Sequence, residues 1–527
     1  MASTDYTWKP TAPDTGTGTW ARPIDEAEQF YTSLAKAYQG TGRTFFAMTG
    51  FISFSVPVDG EESLDDTEER VIHALRKAWV RLRYDHPTIA SRVRYDVEEK
   101  RCFKVYEMLR DVDERERWLV ETFKVVDEGV SGTEWCNNDP PVPDLPTLFL
   151  IKSPRPPVSP TKSDDDDNGR FHADLILRSH HDIIDGMGAL LLFSNLFAHA
   201  ARAYTEADKY KLPKFGDEYT RLSPPLRVAA QIPSDLHPEH SARLREIRAF
   251  NAALRADVEI ATLPFKSDQK GPGKHQRAAL TLPLAQTDRL LNACREAGLS
   301  ITHAYHAAIA LVVRDMQERR NENERIVRYI SYSLINERAR CGESYGSSAH
   351  PAAVYHSVSG RALAIDLVVS AAVGTGAGTG ALAEDLEVKR GEYMETAKRV
   401  RDFYLEIRSD KEHIFLVPSY WAMATPPHPS DGKTPSVPAR NESPSVSISS
   451  MGVLDKVIEH GHGVFSLEDP WVTGEELGTG LGLFLGTWKG RLALSAAYNE
   501  AWHDEDGVMA FLESCNRVVF EGLGIAS

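Results

Sequence analysis

At 527 residues and 42% hydrophobic content, the chain can bury a large core and is long enough for two lobes. Its formal charge of −16, carried without any basic block, makes nucleic acid and anionic membranes poor partners. Cys102, Cys136, Cys294, Cys341 and Cys515 lie far apart with no CxxC pair, which fits a reduced, cytoplasmic protein better than a disulfide-held secreted one. Residues 1–19 are polar, and no uncharged apolar run reaches membrane-spanning length, so neither a signal peptide nor a span is expected. A monomer is the expected form.

A first helix is expected over 23–39, with Pro23 well placed in its first turn. Residues 47–58 alternate and predict a strand. From about 65 to 84, Val71, Leu75, Ala78, Trp79 and Leu82 share one helical face. Strands are expected near 91–97, 103–106 and 145–152. The segment 153–170 is proline-rich and then acidic, with Asp164 to Asp167 in a row; it reads as a solvated loop. Over 171–179, Phe171, Ala173, Leu175 and Leu177 take one face, and His172, Asp174, Ile176 and Arg178 the other. Continuing that parity puts Ser179 and His181 with the apolar, inward set and His180 with the polar one. Residues 187–204 carry Leu190, Ser194, Phe197 and Ala201 at helical spacing.

Residues 209–273 are punctuated by prolines, with one helix near 239–256, and read as the connection between an N-terminal lobe (1–208) and a C-terminal lobe (274–527). The second lobe opens with a strand over 277–282 and helices over 283–296 and 301–319. A strand over 326–334 leads into Asn336, Glu337, Arg338, Ala339 and Arg340. The glycine-rich stretch 371–380 lacks the spacing and the Lys-Ser/Thr of a phosphate loop and reads as a flexible connection, as does 427–444. Strands over 445–450, 481–488 and 492–499 and a helix over 504–521 close the chain.

The densest chemistry lies in His180-His181-Asp182-Ile183-Ile184-Asp185-Gly186, an HHxxxDG stretch between a strand and a helix. An imidazole titrates near neutrality and can take a proton from a hydroxyl or amine. It must be held in one orientation. A carboxylate four residues on can do that directly, or can hold the turn through an ion pair. Gly186 permits a tight turn that a side chain would obstruct.

HHDIIDG resembles the signature of the acyltransferase superfamily that includes chloramphenicol acetyltransferase, plant BAHD acyltransferases and the condensation domains of peptide synthetases. The stretch from Val71 to Trp79, running on to Arg83-Tyr84-Asp85-His86-Pro87-Thr88-Ile89, is similar to that superfamily's first long helix and its "RHPxL" turn. Leu299 to Ala310 resembles the helix that opens the second lobe, and Ser445 to Asp455 a late strand of fungal acetyltransferases. Within the superfamily the nearest likeness is to fungal trichothecene 15-O-acetyltransferases, in that strand and in Tyr498 to His503. The plant DFGWG motif is missing, which weighs against a plant-type enzyme and leaves the site of the donor's pantetheine arm unassigned.

The resemblance implies an α/β chloramphenicol-acetyltransferase-like fold: two lobes of mixed sheet flanked by helices, with an active-site tunnel between them. It implies His181 as general base and His180 and Gly186 as structural. It also implies that Asp185 pairs with an arginine, for which Arg338 and Arg340 are the candidates. Ser449 and Ser450 fall where hydroxyls can donate to an oxyanion. The expected activity is O-acylation of a small hydroxylated metabolite by acetyl-CoA or another acyl-CoA, through a ternary complex and with no tightly bound cofactor. Two alternatives remain open: a free-standing condensation enzyme using a carrier-bound acyl group, and a tunnel protein that shapes or cyclises a metabolite without acyl transfer. The anionic donor calls for a local cluster of Arg or Lys that the sequence does not place.

Other constellations are weaker. His303 and His306, three apart on a helix, lack an HExxH frame and read as helix histidines; His460 and His462 sit in a glycine-rich turn. No GxSxG elbow is present, which disfavours the common serine hydrolases.

Overall fold

The computed structural model describes residues 5–11, 18–60, 62–152, 169–320, 323–371, 381–428, 437, 439 and 441–526. The acidic run 164–167 and most of the glycine-rich stretch 371–380 and of the loop 427–444 lie outside these residues.

The architecture is mixed α/β. A six-stranded sheet runs in the order Gly461–His462, Phe465–Gly474, Met48–Pro57, Arg170–Ser179, Thr147–Ile151 and Phe123–Val126. Its pairs are antiparallel except the last, which is parallel. Helices Leu64–Asp85 and Gly186–Glu206 cover one face: Val71, Leu75 and Trp79 meet Leu190, Phe193 and Phe197 over Phe54, Leu175 and Leu177. The second half of the chain builds a four-stranded sheet in the order His275–Thr281, Arg491–Asn499, Leu481–Trp488, Val446–Val453. It shares a core with helices Ile301–Asp315 and Glu505–Gly522.

Strand Phe465–Gly474, from the second half of the chain, is paired in the first sheet beside Met48–Pro57. No strand was expected there. Its alternation is broken by a bulge between Glu468 and Trp471, where Asp469 takes φ 46° ahead of Pro470. The strand that leads into the motif is buried on both faces, because the supposed polar side is roofed by the short helix Gly132–Asn137. Asp174 there accepts from Ser53 Oγ (2.6 Å) and from the Gly132 amide (2.8 Å), and Arg178 pairs with buried Glu475. The first helix starts later than expected, at Glu26. Pro23 ends a strand paired to Phe103, and Asp25 with Glu28 forms the capping box that sets the helix start. The expected strand over 326–334 divides into Arg325–Ser331 and Leu334–Asn336.

Candidate active site

Strand Arg170–Ser179 ends where the motif begins, and residues 180–185 form the turn into helix Gly186–Glu206. The two histidines diverge. His181 lines a cavity of about 260 Å³, and His180 lines another of about 520 Å³ together with Asp182 and Ile183. The His181 cavity lies between the elements of the two sheets. Its walls include Phe30, Tyr31, Phe46 and Trp421 on one side and Ser447, Ser449, Met451 and Phe484 on another. Cavities of this size with apolar walls and a few polar groups suit small ligands. A larger cavity of about 710 Å³ shares Met451 and Phe484 with it and carries Arg277, Lys489 and Arg491 against Glu468 and Asp469.

Burial lowers the pKa of the His181 imidazole, nearby His356 lowers it further, and its own backbone carbonyl and Asp185 oppose this only in part; it falls to about 3. The ring is therefore neutral at physiological pH and can accept a proton. Its Nδ1 is buried and makes no hydrogen bond to another residue. The face of the ring lies on Tyr31, with centroids 3.7 Å apart and planes 7° from parallel. The Tyr31 hydroxyl is 2.7 Å from His356 Nε2.

Asp185 does not contact His181. Its Oδ2 accepts from Arg338 (2.8 Å) and from the Tyr355 amide (2.9 Å), and His356 Nδ1 is 3.7 Å away. Its Oδ1 accepts from the Gly188 amide (2.7 Å), which caps the helix. Burial alone would raise the carboxyl's pKa; Arg338 and His356 override it and hold the group well below the carboxylate range. Of the two candidate arginines, Arg338 makes the pair; Arg340 instead donates to the carbonyls of Asp410 and Lys411 and reaches Glu337.

Gly186 sits at the first helical position, and a Cβ there would meet Val472 Cγ2 at 3.1 Å, so it serves close packing rather than a special turn conformation. Gly188 is the tighter place: a Cβ would lie 2.1 Å from the Pro351 carbonyl oxygen. The other side of the turn is tied to the first helix. Asp182 Oδ2 accepts from Thr32 Oγ1 (2.8 Å), and the Asp182 carbonyl accepts from Lys104 Nζ (2.6 Å). Lys104 also pairs with Glu28 (2.5 Å), which Arg22 holds with two bonds of 2.7 Å. Glu28's carboxyl, which burial would raise, is lowered to about 2 by these two cations.

Ser449 and Ser450 differ. Both line the cavity, but Ser450 Oγ is 2.8 Å from Thr302 Oγ1, while Ser449 shares a strand face with Ser447. Glu476 also lines the cavity, and burial raises its carboxyl to about 7 despite the amides of Gly478 and Leu477. His303 closes the capping box of helix Ile301–Asp315, and His306 Nδ1 is 3.1 Å from the Tyr404 hydroxyl. Tyr31, His356, Trp421 and Glu476 carry no local motif, and Ser447 lies in the late-strand likeness without being singled out there. Tyr31 lies within the expected first helix, but nothing in its spacing marks it.

No family model matches the chain. It is 25% identical over 516 residues to the acetyltransferase pigO of Monascus ruber, covering 96% of this chain and 97% of the relative. It is 23% identical over 529 residues to the O-acetyltransferase pigM of the same organism, covering 98% and 88%. The solved structure of the TRI3 trichothecene 15-O-acetyltransferase from Fusarium sporotrichioides superposes with a TM-score of 0.73 at 18% identity, covering 98% of both chains. Condensation domains share the fold more loosely, with TM-scores of 0.55. The chain thus has the fold that the trichothecene acetyltransferase and the condensation domains share. The chain is an acyltransferase, similar in sequence to fungal acetyltransferases.

Proposed function

We propose that the protein is an acyl-CoA-dependent O-acetyltransferase acting on a hydroxyl of a small secondary metabolite. The observation that carries this reading is a neutral imidazole, His181, lining an aromatic cavity that Ser447 and Ser449 also line.

In this reading His181 takes the alcohol's proton as the oxygen attacks the thioester carbonyl. The tetrahedral oxyanion accepts a hydrogen bond from Ser449, with Ser447 beside it. The intermediate collapses to the ester, and His181 returns the proton to the departing thiolate. No acyl-enzyme forms, so both substrates are bound together. Asp185 and Arg338 hold the turn and take no part in proton transfer. The larger cavity supplies the basic side chains an anionic donor calls for and shares two wall residues with the His181 cavity. The donor is therefore assigned to that side. The relatives' names support acetyl as the group transferred.

The test is thiol release from acetyl-CoA by the purified protein over a panel of hydroxylated metabolites. Acceptor-dependent release with intersecting initial-rate plots is expected. Transfer only from a carrier-bound acyl group would favour the condensation reading, and conversion of a metabolite with no thiol released would end the acyltransfer reading.

A further inference from the structure

Two consecutive glutamates follow strand Phe465–Gly474 and meet opposite surroundings. Glu475 is buried against the Arg178 guanidinium. Glu476 lines the His181 cavity and, among the described residues, makes no ion pair. Burying a carboxyl without a cation is costly, and tying up backbone amides alone does not require one. We propose that Glu476 is a specificity-determining residue: its carboxylic acid donates a hydrogen bond to a carbonyl oxygen that the acceptor carries in addition to the hydroxyl that is acylated. The inference deepens the acetyltransferase reading and rests on it.

The backbone fixes the placement. The Glu475 amide donates to the Ala47 carbonyl (2.8 Å), and the Glu475 carbonyl accepts from the Phe46 amide (2.9 Å). The Glu476 amide donates to His275 Nδ1 (3.1 Å), and its carbonyl accepts from Asn499 Nδ2 (3.3 Å). Carboxyl Oε1 accepts from the Gly478 amide (2.7 Å). Burial favours the acid, the amides of Gly478 and Leu477 favour the anion, and the group titrates at about 7. Burial holds His181 and His275 neutral, each at about 3, and burial with Glu476 pushes the Tyr38 phenol to about 12. The charges nearby are matched: Asp185 by Arg338, Arg178 by Glu475 and Arg43 by Asp139, while His356 is bonded to Tyr31. An acid whose acceptor oxygens meet amides has one group left for a ligand, its O–H. The walls formed by Phe46, Trp421 and Phe484 suit an apolar acceptor, and a carbonyl oxygen stripped of water among them needs a donor. The anion would set its lone pairs against that oxygen.

The experiment assays thiol release from acetyl-CoA by the whole chain with matched pairs of alcohols: hydroxymethyl tetralones beside hydroxymethyl tetralins, and hydroxymethyl chromanones beside hydroxymethyl chromanes. Wild type should favour the ketone of a pair by about tenfold or more in kcat/KM, the worth of one well-made hydrogen bond. That preference should fall away above about pH 7, while the partner lacking the carbonyl shows no such fall. Glu476→Leu should bring the pair within about twofold of each other, with KM for acetyl-CoA also within about twofold of wild type. Glu476→Gln still accepts from the amides and donates at every pH, so it should keep the preference within about threefold and lose the fall. Each variant is checked by a thermal melt, and the wild-type pH profile needs no variant at all. Equal rates on both members of every pair, a preference that survives in folded Glu476→Leu, or a preference that grows as the pH rises through 7 would overturn the proposal. A wild type that releases no thiol with any alcohol would instead refute the reading of the reaction, a different result.

Discussion

The turn that carries His181 is anchored on both flanks, and the anchors are built differently. On the Asp185 flank the motif's own carboxylate is the anchor: it meets Arg338, two backbone amides and, more distantly, His356. On the Asp182 flank the charges belong to residues outside the turn. Arg22, Glu28 and Lys104 form a buried triad, and the turn offers only a backbone carbonyl to Lys104 and a carboxylate to the Thr32 hydroxyl. Two aspartates three residues apart therefore differ in what depends on them. Losing the Asp185 charge leaves a buried guanidinium without its partner, whereas losing that of Asp182 leaves the triad whole.

The largest effect is expected between the flanks. His181→Ala should lower kcat by about 10²–10⁴-fold with the melting temperature unchanged, read from steady-state rates and a thermal melt. A folded variant with more than about a tenth of wild-type kcat would remove His181 from the chemistry. The wild type makes a companion prediction about pH. A base must be unprotonated, and His181 protonates only near pH 3. Its contribution to kcat/KM should be flat from neutrality down to the acid range, with no limb at the ordinary histidine value. Glu476 can produce a limb near 7, and Glu476→Gln identifies it: a limb that persists in that variant near 6.5 would mean that the imidazole is far less desolvated than its burial implies.

Next come the charges. Asp185→Asn and Glu28→Gln each break a buried pair and should cost about 3–5 kcal/mol by denaturant unfolding at neutral pH. The pH dependence of the Asp185 deficit has a definite sign. Its carboxyl titrates lower in the folded than in the unfolded chain, so the stabilisation is complete above the unfolded value and is lost as the pH falls toward the folded one. The gap between wild type and Asp185→Asn should therefore narrow below about pH 4. A gap independent of pH would mean that the capping bond to Gly188, rather than the charge pair, carries the cost.

This division also marks what could be read without coordinates. The HHxxxDG turn is local: seven consecutive residues between a strand and a helix place one imidazole and one carboxylate, and a family likeness supplies the arginine. Arg338 and Arg340 could not be separated, because one lies 6% exposed on the turn and the other projects toward Asp410. The Asp182 anchor was invisible, since Arg22, Glu28 and Lys104 lie in three separate elements and look like ordinary surface charges in sequence. Tyr31, His356 and Trp421 share that property: their juxtaposition exists only after the helix at 26–38 and the segments at 356–358 and 413–424 have packed. The strand at 465–474 escaped for a different reason, a bulge that shifts its alternation halfway along.

The smallest effect sharpens the contrast most. Asp182→Asn keeps an amide oxygen in the place of the carboxylate oxygen that accepts from Thr32, and it leaves the backbone carbonyl that accepts from Lys104 untouched. Neither the helix cap nor a buried ion pair depends on the side chain. The expected cost is that of weakening one charge-assisted hydrogen bond, about 0.5–1.5 kcal/mol, with kcat within about threefold of wild type. Denaturant unfolding beside Asp185→Asn gives the comparison directly. If Asp182→Asn costs as much as Asp185→Asn, the Asp182 carboxylate must itself hold Lys104 in charge balance. The turn would then be clamped by two ionic anchors of the same kind rather than by one ionic anchor and one made of hydrogen bonds.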